Sequence, residues 1–582
     1  MMHSSTENRQ GPPWAAFSST IPSLLKDIPV IIALLALLYG LMALTNYWTG
    51  PINTQPVIDL SPAALPKYAL FSIARLTIAY VLSLTITLAY GYAAAHSRRA
   101  ERILIPLLDT LQSIPVLSFL PPVMLSMVAL FPATQLGVEL GSILLITTGQ
   151  VWNMTFSVYS SIKNIPCEML EAAQAYKLSW FQKFVQVELP CAAISLIWNS
   201  MMSIAGGWFF LMACEMFVLG NHDLRLPGLG SYLQTAANSG DTRAIVWGVF
   251  AMVAVIVLTD QLIWRPLIAW AEKFKFEQVE ASHVPRSPIL DFVRHSRVFR
   301  YAGQTLAAPL GEALTLHFST AKTLPRLVQA KRKRRDLLPR VLTIVVGLVV
   351  LYAVVKMSFL LAKISLLELS NIFLGAGATF LRVEFVLLIA ALWTIPVGVA
   401  VGLRPRLASI AQPLAQIAAS VPATALFPIV LLALIRIGGG LGVGSIILLM
   451  LGTQWYILFN VIAGASAIPT DLKEVCQVFK LSRAERWRRL LLPGIFPYLI
   501  TGFVTASGGA WNASIIAEYF RFHGQTITTI GLGAIISHAT DTGNFPVLLA
   551  GTIVMASMVV IVNRLLWRRL YALACGRFSL NG

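Results

Sequence analysis

Charge is what this sequence has least of. Only 12% of its 582 residues are Asp, Glu, Lys or Arg, about half the roughly 25% usual in soluble domains. A chain so poor in charge and 57% hydrophobic is not composed as a water-soluble globule. Cysteine is scarce as well. The five present, Cys167, Cys191, Cys214, Cys476 and Cys575, show no CxxC spacing, so neither a metal site nor a disulfide framework is expected. No GxxxxGK[ST] occurs, which excludes ATP hydrolysis by a phosphate-binding loop of its own. The glycine-rich GGGLGVG at 438–444 has no lysine after it and reads as a bend or close-packing point. The eight histidines are scattered, mostly in loops, without an HExxH. No catalytic residue, metal or cofactor is expected, and the chain reads as a non-enzyme.

What the sequence does have is length of apolar run. The clearest stretches are 29–48, 138–160, 245–270, 339–362, 383–403 and 546–567, each near or beyond the roughly 20 residues that cross a bilayer. The first is too long for a signal-peptide core and is expected to be retained as a span. The formal net charge of +18 follows from the habit of cytoplasmic loops to collect Lys and Arg, so nucleic acid is not expected as a partner. The expected class is an all-α polytopic membrane protein.

The chain is written twice. Glu171, Pro166, Pro190, Trp208, Glu215, the GLG at 228–230 and Trp264-Arg265 recur 303 residues later as Glu474, Pro469, Pro493, Trp511, Glu518, the GLG at 531–533 and Trp567-Arg568. Upstream the offset is 307, carrying Arg75 to Arg382, Gly91 to Gly398, Pro115 to Pro422 and Pro121 to Pro428. The change of offset falls in 122–150, where the second copy is shorter. Basic residues assign the cytoplasmic side: Arg98, Arg99 and Arg102; Arg404 and Arg406; and Arg568, Arg569 and Arg577. The stretch 272–340 carries 14 Lys+Arg against 6 Asp+Glu, a composition suited to fixing orientation and touching anionic lipid.

These signals predict the following order: 1–28 as a cytoplasmic tail, 29–67 as a first transmembrane helix with an outer loop, and 68–271 as a first module. Then come 272–338 as a basic cytoplasmic linker, 339–374 as another transmembrane helix and loop, 375–574 as a second module, and 575–582 as a cytoplasmic tail. With both termini inside, each half threads six times, about 12 spans in all. An even count makes the modules parallel, related by a pseudo-twofold axis along the membrane normal. Prolines 115, 121 and 122, and then 422 and 428, interrupt the third and ninth spans.

Two polar phrases stand between apolar stretches, EAAQAYKLSWFQKFVQVELP at 171–190 and EVCQVFKLSRAERWRRLLLP at 474–493. Each follows a proline and opens with carboxylates, the chemistry of a helix start. A helix of eight to ten residues is expected, then a turn at Leu178-Ser179 and at Leu481-Ser482, then a basic segment rising to Pro190 and Pro493. Spacing by three sets Glu171, Gln174 and Lys177 on one face, and Glu474, Gln477 and Lys480 on the other copy. An exposed polar face kept in both copies points to a docking surface.

The phrases resemble the EAA loop of permeases of ABC importers, E-A-A, three residues, G, nine residues, I-x-L-P. Glu171-Ala172-Ala173 leads to Val187-Glu188-Leu189-Pro190, and Glu474-Val475-Cys476 to Leu490-Leu491-Leu492-Pro493. Both copies put lysine, Lys177 and Lys480, where that pattern has glycine. The Gly206-Gly207-Trp208…Glu215 and Gly508-Gly509…Trp511…Glu518 stretches look closest to permeases of the nitrate/sulfonate/taurine/bicarbonate type. The resemblance implies two fused six-helix permease modules of an inner (plasma) membrane importer. It implies that a separate ATPase dimer docks on the two loops, that an extracytoplasmic binding protein delivers a small anion, and that membrane lipid surrounds the whole. A secondary transporter or channel is the competing class.

Four charged residues are candidates for the pathway. Glu215 and Glu518 each sit two helical turns from a tryptophan, Trp208 and Trp511, and either line a cavity or brace a helix end. Arg75 and Arg382 either attract an anion or snorkel to the interface.

Overall fold

The computed structural model describes residues 57–219, 222–274, 354–436, 440–522 and 525–570, with a few isolated positions elsewhere. The stretch 29–48, the first part of 339–362 (residues 339–346) and the linker from 275 to 338 lie almost wholly outside these, and so do both termini. Contacts divide the chain into two compact units. One takes in Ile165–Ile197 and Gln261–Pro325, the other Tyr47–Asn164, Trp198–Asp260 and Arg326–Gly582.

The element order is the same in each half. In the first half α1 (Leu65–His96), α2 (Arg98–Ser113), α3 (Leu120–Leu130) and α4 (Leu136–Lys163) lead to a short α5 (Cys167–Ala175) and a long α6 (Leu189–Glu215). A two-stranded hairpin, β1 (Val218–Leu219) and β2 (His222–Asp223), then α7 (Leu229–Ser239) and α8 (Thr242–Thr259) complete it. The second half runs α9 (Leu366–Gly402), α10 (Pro405–Ser420), α11 (Ala423–Arg436), α12 (Leu441–Ala467), α13 (Thr470–Val478) and α14 (Leu492–Ala517). It closes with β3 (Tyr519–Phe522), β4 (Gln525–Thr528), α15 (Leu532–Thr542) and α16 (Phe545–Val562). Among the described residues the fold is all-α apart from these two hairpins.

Seven helical stretches among the described residues are long and apolar enough to cross a membrane: Pro62–His96, Trp180–Glu215, Thr242–Ala271, Leu366–Gly402, Leu441–Ala467, Arg483–Ala517 and Phe545–Leu570. Prolines shorten what lies between. Pro115 starts a 3₁₀ turn at Val116–Phe119 before α3, and Pro428 sits inside α11; both regions are shorter apolar helices. The stretch expected as a span at 138–160 lies inside helix α4. Helix α4 has the length, 28 residues, but Thr147, Thr148, Gln150 and Asn153 interrupt its apolarity and it is not among the seven.

Small residues allow the helices to pack closely. A Cβ on Gly91 of α1 would meet Val158 of α4 at 2.9 Å, and one on Gly398 of α9 would meet Val461 of α12 at 2.7 Å. Gly91 and Gly398 are the same repeat position, so both halves use one device to bring these helices together. Val461 belongs to a large continuous apolar core that has Trp208 and Trp511 among its largest buried members.

Candidate functional site

The polar phrases fold into the same small module twice. Pro166 precedes α5, whose first turn holds Glu168; carboxylates there face the exposed N–H groups of the helix start. The helix ends in a left-handed turn. Tyr176 N–H bonds Ala172 O at 2.9 Å and Leu178 N–H reaches back to Ala173 O at 3.1 Å, with Lys177 between them at φ 51°. In the second copy Phe479 N–H bonds Val475 O at 3.0 Å and Leu481 N–H bonds Cys476 O at 3.1 Å, with Lys480 at φ 47°. This six-to-one bond is the Schellman helix ending, which favours glycine at the left-handed position. A lysine there costs about 1 kcal/mol. The expected shared face is therefore corrected. Each helix stops two residues before its lysine, so Lys177 leaves the face of Glu171 and Gln174, and Lys480 that of Glu474.

Ser179 and Ser482 restart the helix. Ser179 forms a reciprocal capping box with Gln182, and Ser482 with Glu485, satisfying free N–H groups at each start. One α turn later both chains widen into a π turn, Phe184–Glu188 and Trp487–Leu491, before Pro190 and Pro493. Glu171, Ala172, Gln174 and Lys177 are exposed, Ala173 and Ser179 buried, Leu178 and Pro190 half-buried. In the second copy Glu474, Lys480 and Ser482 are exposed and Leu481 and Pro493 half-buried; the Gln477 side chain is outside the described set. Two aromatic residues that spacing alone did not single out stand out by their exposure. Tyr176 is 81% exposed and Phe479, its repeat partner, 73%.

The charged pathway candidates come together elsewhere, in one buried cluster per half. Arg75 of α1 is fully buried. Its Nε and Nη2 donate to Glu139 of α4 at 2.7 Å each, and its Nη1 donates to Glu215 and Pro227 O at 2.8 Å each. Glu215 also accepts from Ser72 at 2.7 Å and from Gly230 N–H at 2.7 Å, at the N-terminus of α7. The second half repeats this. Arg382 pairs with Glu518, and Glu518 accepts from Thr379 and, at 2.8 Å, from Gly533 N–H at the start of α15. Ser72 and Thr379 further accept the N–H groups of Leu229 and Leu532. The GLG motifs follow from the same geometry. A Cβ on Gly228 would come within 2.2 Å of the Glu215 carboxylate, and one on Gly531 within 2.1 Å of that of Glu518.

These contacts revise two expectations. Arg75 neither snorkels nor stands open to an anion; its guanidinium is closed off by two carboxylates. Arg382 is 12% exposed and tied to Glu518 and Ile530 O. The cluster differs between halves in one respect. Glu139 falls in register with Gly442 at the 303 offset, so the first half holds two carboxylates around its arginine and the second holds one. Glu139 was detectable in principle as an acid inside an apolar stretch.

None of the six candidates lines the larger cavity. That cavity, about 480 Å³, lies among α6, α10, α12 and α14, with Met201, Phe209, Gln416, Trp455, Tyr456 and Asn512 on its wall. Among the described residues no Asp, Glu, Lys, Arg or His lines it; the polar groups on its wall are amides, indoles and a phenol. Asn512 is fixed by donating to Gly508 O at 3.0 Å and accepting from Leu117 N–H at 3.3 Å. A second cavity of about 320 Å³ sits by the hairpins and holds the pairs Asp223–Arg225 and Arg521–Asp541, each at 2.5 Å. On α2, outside the apolar helices, Glu101 accepts from Tyr159 at 2.6 Å and Lys163 at 3.0 Å. The Tyr159 hydroxyl, followed by the Lys163 ammonium, holds its carboxyl below the usual range.

The chain is similar to the nitrate import permease protein of Leptolyngbya laminosa, 28% identical over 195 residues covering 34% of this chain and 66% of that protein. It is similar to the taurine transport system permease protein of Escherichia coli, 30% identical over 198 residues covering 33% of this chain and 68% of the relative. With the bicarbonate transport system permease protein of Synechococcus elongatus it shares 33% identity over 141 residues, 24% of this chain and 49% of the relative. The family model for the inner membrane component of binding-protein-dependent transport systems matches twice, over residues 85–262 and 394–568. Each match encloses one polar phrase, the glutamate (Glu215 or Glu518) that pairs with a buried arginine and one GLG turn, and the chain belongs to this family as a duplicated member.

Proposed function

We propose that this chain supplies both membrane halves of an ATP-driven importer and forms the path for a small anion of the nitrate, sulfonate or bicarbonate class. An extracytoplasmic binding protein delivers the anion, and a separate ATPase dimer drives the cycle. The observation that carries this reading is the module α5–turn–π turn, present twice at the 303 offset with its polar residues exposed. Each copy offers a rigid helix to one ATPase subunit, and the π turn after it passes motion into α6 or α14 as a rigid-body movement.

The modules at 68–271 and 375–574 then work as the two halves about an axis along the membrane normal, with both termini and the basic linker on the cytoplasmic side. The wall of the 480 Å³ cavity suits an anion in transit. Amide and indole N–H groups solvate it, and among the described residues of the wall no carboxylate repels it and no cation holds it too tightly to leave. Arg75, Glu215, Arg382 and Glu518 brace the helices that frame the path, and Trp208 and Trp511 pack behind them; their burial supports this over contact with cargo.

Charge reversal tests the docking. Glu171→Lys with Glu474→Lys, in the full chain, is expected to abolish co-purification of the cognate ATPase while leaving the membrane-inserted chain intact. Retained ATPase binding in the double variant would mean that these loops are not the dock.

A further inference from the structure

The glycine position of the helix ending is filled by lysine in both copies, although a lysine is strained there. Burial in the core does not hold the lysine there, because Lys177 and Lys480 are exposed. A cation near a helix C-terminus is favourable, but that benefit is available to a lysine inside the last turn and does not require the left-handed residue. Beside each lysine stands a ring with no place in the core, Tyr176 at 81% and Phe479 at 73% exposure. Next to Phe479, Val478 is also 77% exposed. Large exposed apolar side chains in a polar loop mark contact surfaces, and tyrosine is enriched where binding energy concentrates.

We propose that the aromatic–lysine pairs Tyr176–Lys177 and Phe479–Lys480 anchor the ATPase. Each ring fills an apolar recess on an ATPase subunit, and each lysine meets carboxylates at the rim of that recess. The inference rests on the reading of these loops as ATPase docks and says where their affinity lies. It also fixes the direction of docking. Glu171 and Glu474 lie six residues before the lysines, about 9 Å at the helical rise. The partner groove therefore presents a cation at one end and carboxylates at the other.

The test uses the full chain in detergent or nanodiscs with its purified cognate ATPase, measuring Kd over a salt series and the melting temperature of the chain alone. Lys177→Gly with Lys480→Gly is expected to raise the melting temperature by relieving the left-handed lysines. The same variant is expected to weaken ATPase binding by about tenfold or more and to flatten its salt dependence. Tyr176→Ala with Phe479→Ala is expected to weaken binding to a similar degree at unchanged melting temperature, and Tyr176→Phe to restore it. Stability and affinity moving in opposite directions in the glycine variant is the signature. Wild-type affinity in both the glycine and alanine pairs overturns the proposal. If the Glu171/Glu474 reversal still abolishes binding in that case, the dock stands and only the anchor is wrong; if it does not, the dock falls with it.

Discussion

Replacing Arg75 by Met should damage this protein far more than replacing Arg382 by Met, although the two occupy the same repeat position. Arg75 stands alone between two buried carboxylates, bound to Glu139 and Glu215 at 2.7–2.8 Å. Its loss leaves two like charges in a dry site. Removing one partner of a buried ion pair costs about 3–5 kcal/mol, and the second carboxylate places this case at the upper end. Arg382 faces one carboxylate, which keeps Thr379 and the Gly533 N–H as donors, and the arginine is partly exposed. Its loss should cost nearer 1.5–3 kcal/mol, about the worth of hydrogen bonds to a charged group. At about 2–4 °C per kcal/mol for modules of this size, Arg75→Met should lower the melting temperature by roughly 10–20 °C, and Arg382→Met by visibly less. Intrinsic tryptophan fluorescence at a fixed scan rate reads both. Adding Glu139→Gln to Arg75→Met should recover part of the loss, because it removes the repulsion. Equal shifts for the two arginine variants, or no recovery, would refute the charge accounting.

Gly228→Ala and Gly531→Ala should each destabilise by about 1–3 kcal/mol, since the added Cβ would meet a glutamate carboxylate at 2.2 and 2.1 Å. Gly508→Ala, with nothing within 4 Å, should be neutral or mildly stabilising in the same melting assay. Glu101→Gln should change the acid side of the stability profile. The folded carboxyl sits below its ordinary value, so its stabilisation is present above the unfolded pKa and fades as pH falls through the folded one. The wild type should therefore lose its advantage over the variant on acidification, and a constant gap across pH would show that the pairing contributes nothing. A cysteine placed at Gln416 on the cavity wall should react with a water-soluble thiol reagent, and transported anion should slow that labelling. Labelling indifferent to the anion would separate this cavity from the path.

The sequence carried the large-scale organisation openly, because a duplicated chain leaves a constant offset and a membrane span leaves a run of apolar residues. The repeated polar module was legible to within a residue or two: Pro166, Glu171 and Ser179 have local reasons to be where they are. What escaped depends on contacts between distant segments. Arg75 is 64 residues from Glu139 and 140 from Glu215, and nothing in either neighbourhood announces the pairing. The helix endings escaped for a different reason. Lysine is not a residue that signals a left-handed backbone, so Lys177 and Lys480 read as members of a helical face until the Schellman bonds placed them beyond it. The π turns leave no compositional trace, since they differ from α turns only in hydrogen-bond pairing. The cavity wall was hidden because Met201, Gln416 and Asn512 come from three different helices.

The most direct test of the central claim is reconstituted uptake. The full chain in proteoliposomes, with binding protein and a labelled anion, should accumulate the anion only when the cognate ATPase and ATP are both present, and hardly at all with the Glu171→Lys/Glu474→Lys variant. Uptake that proceeds at the same rate without the ATPase would contradict the account and make the chain a secondary transporter or channel.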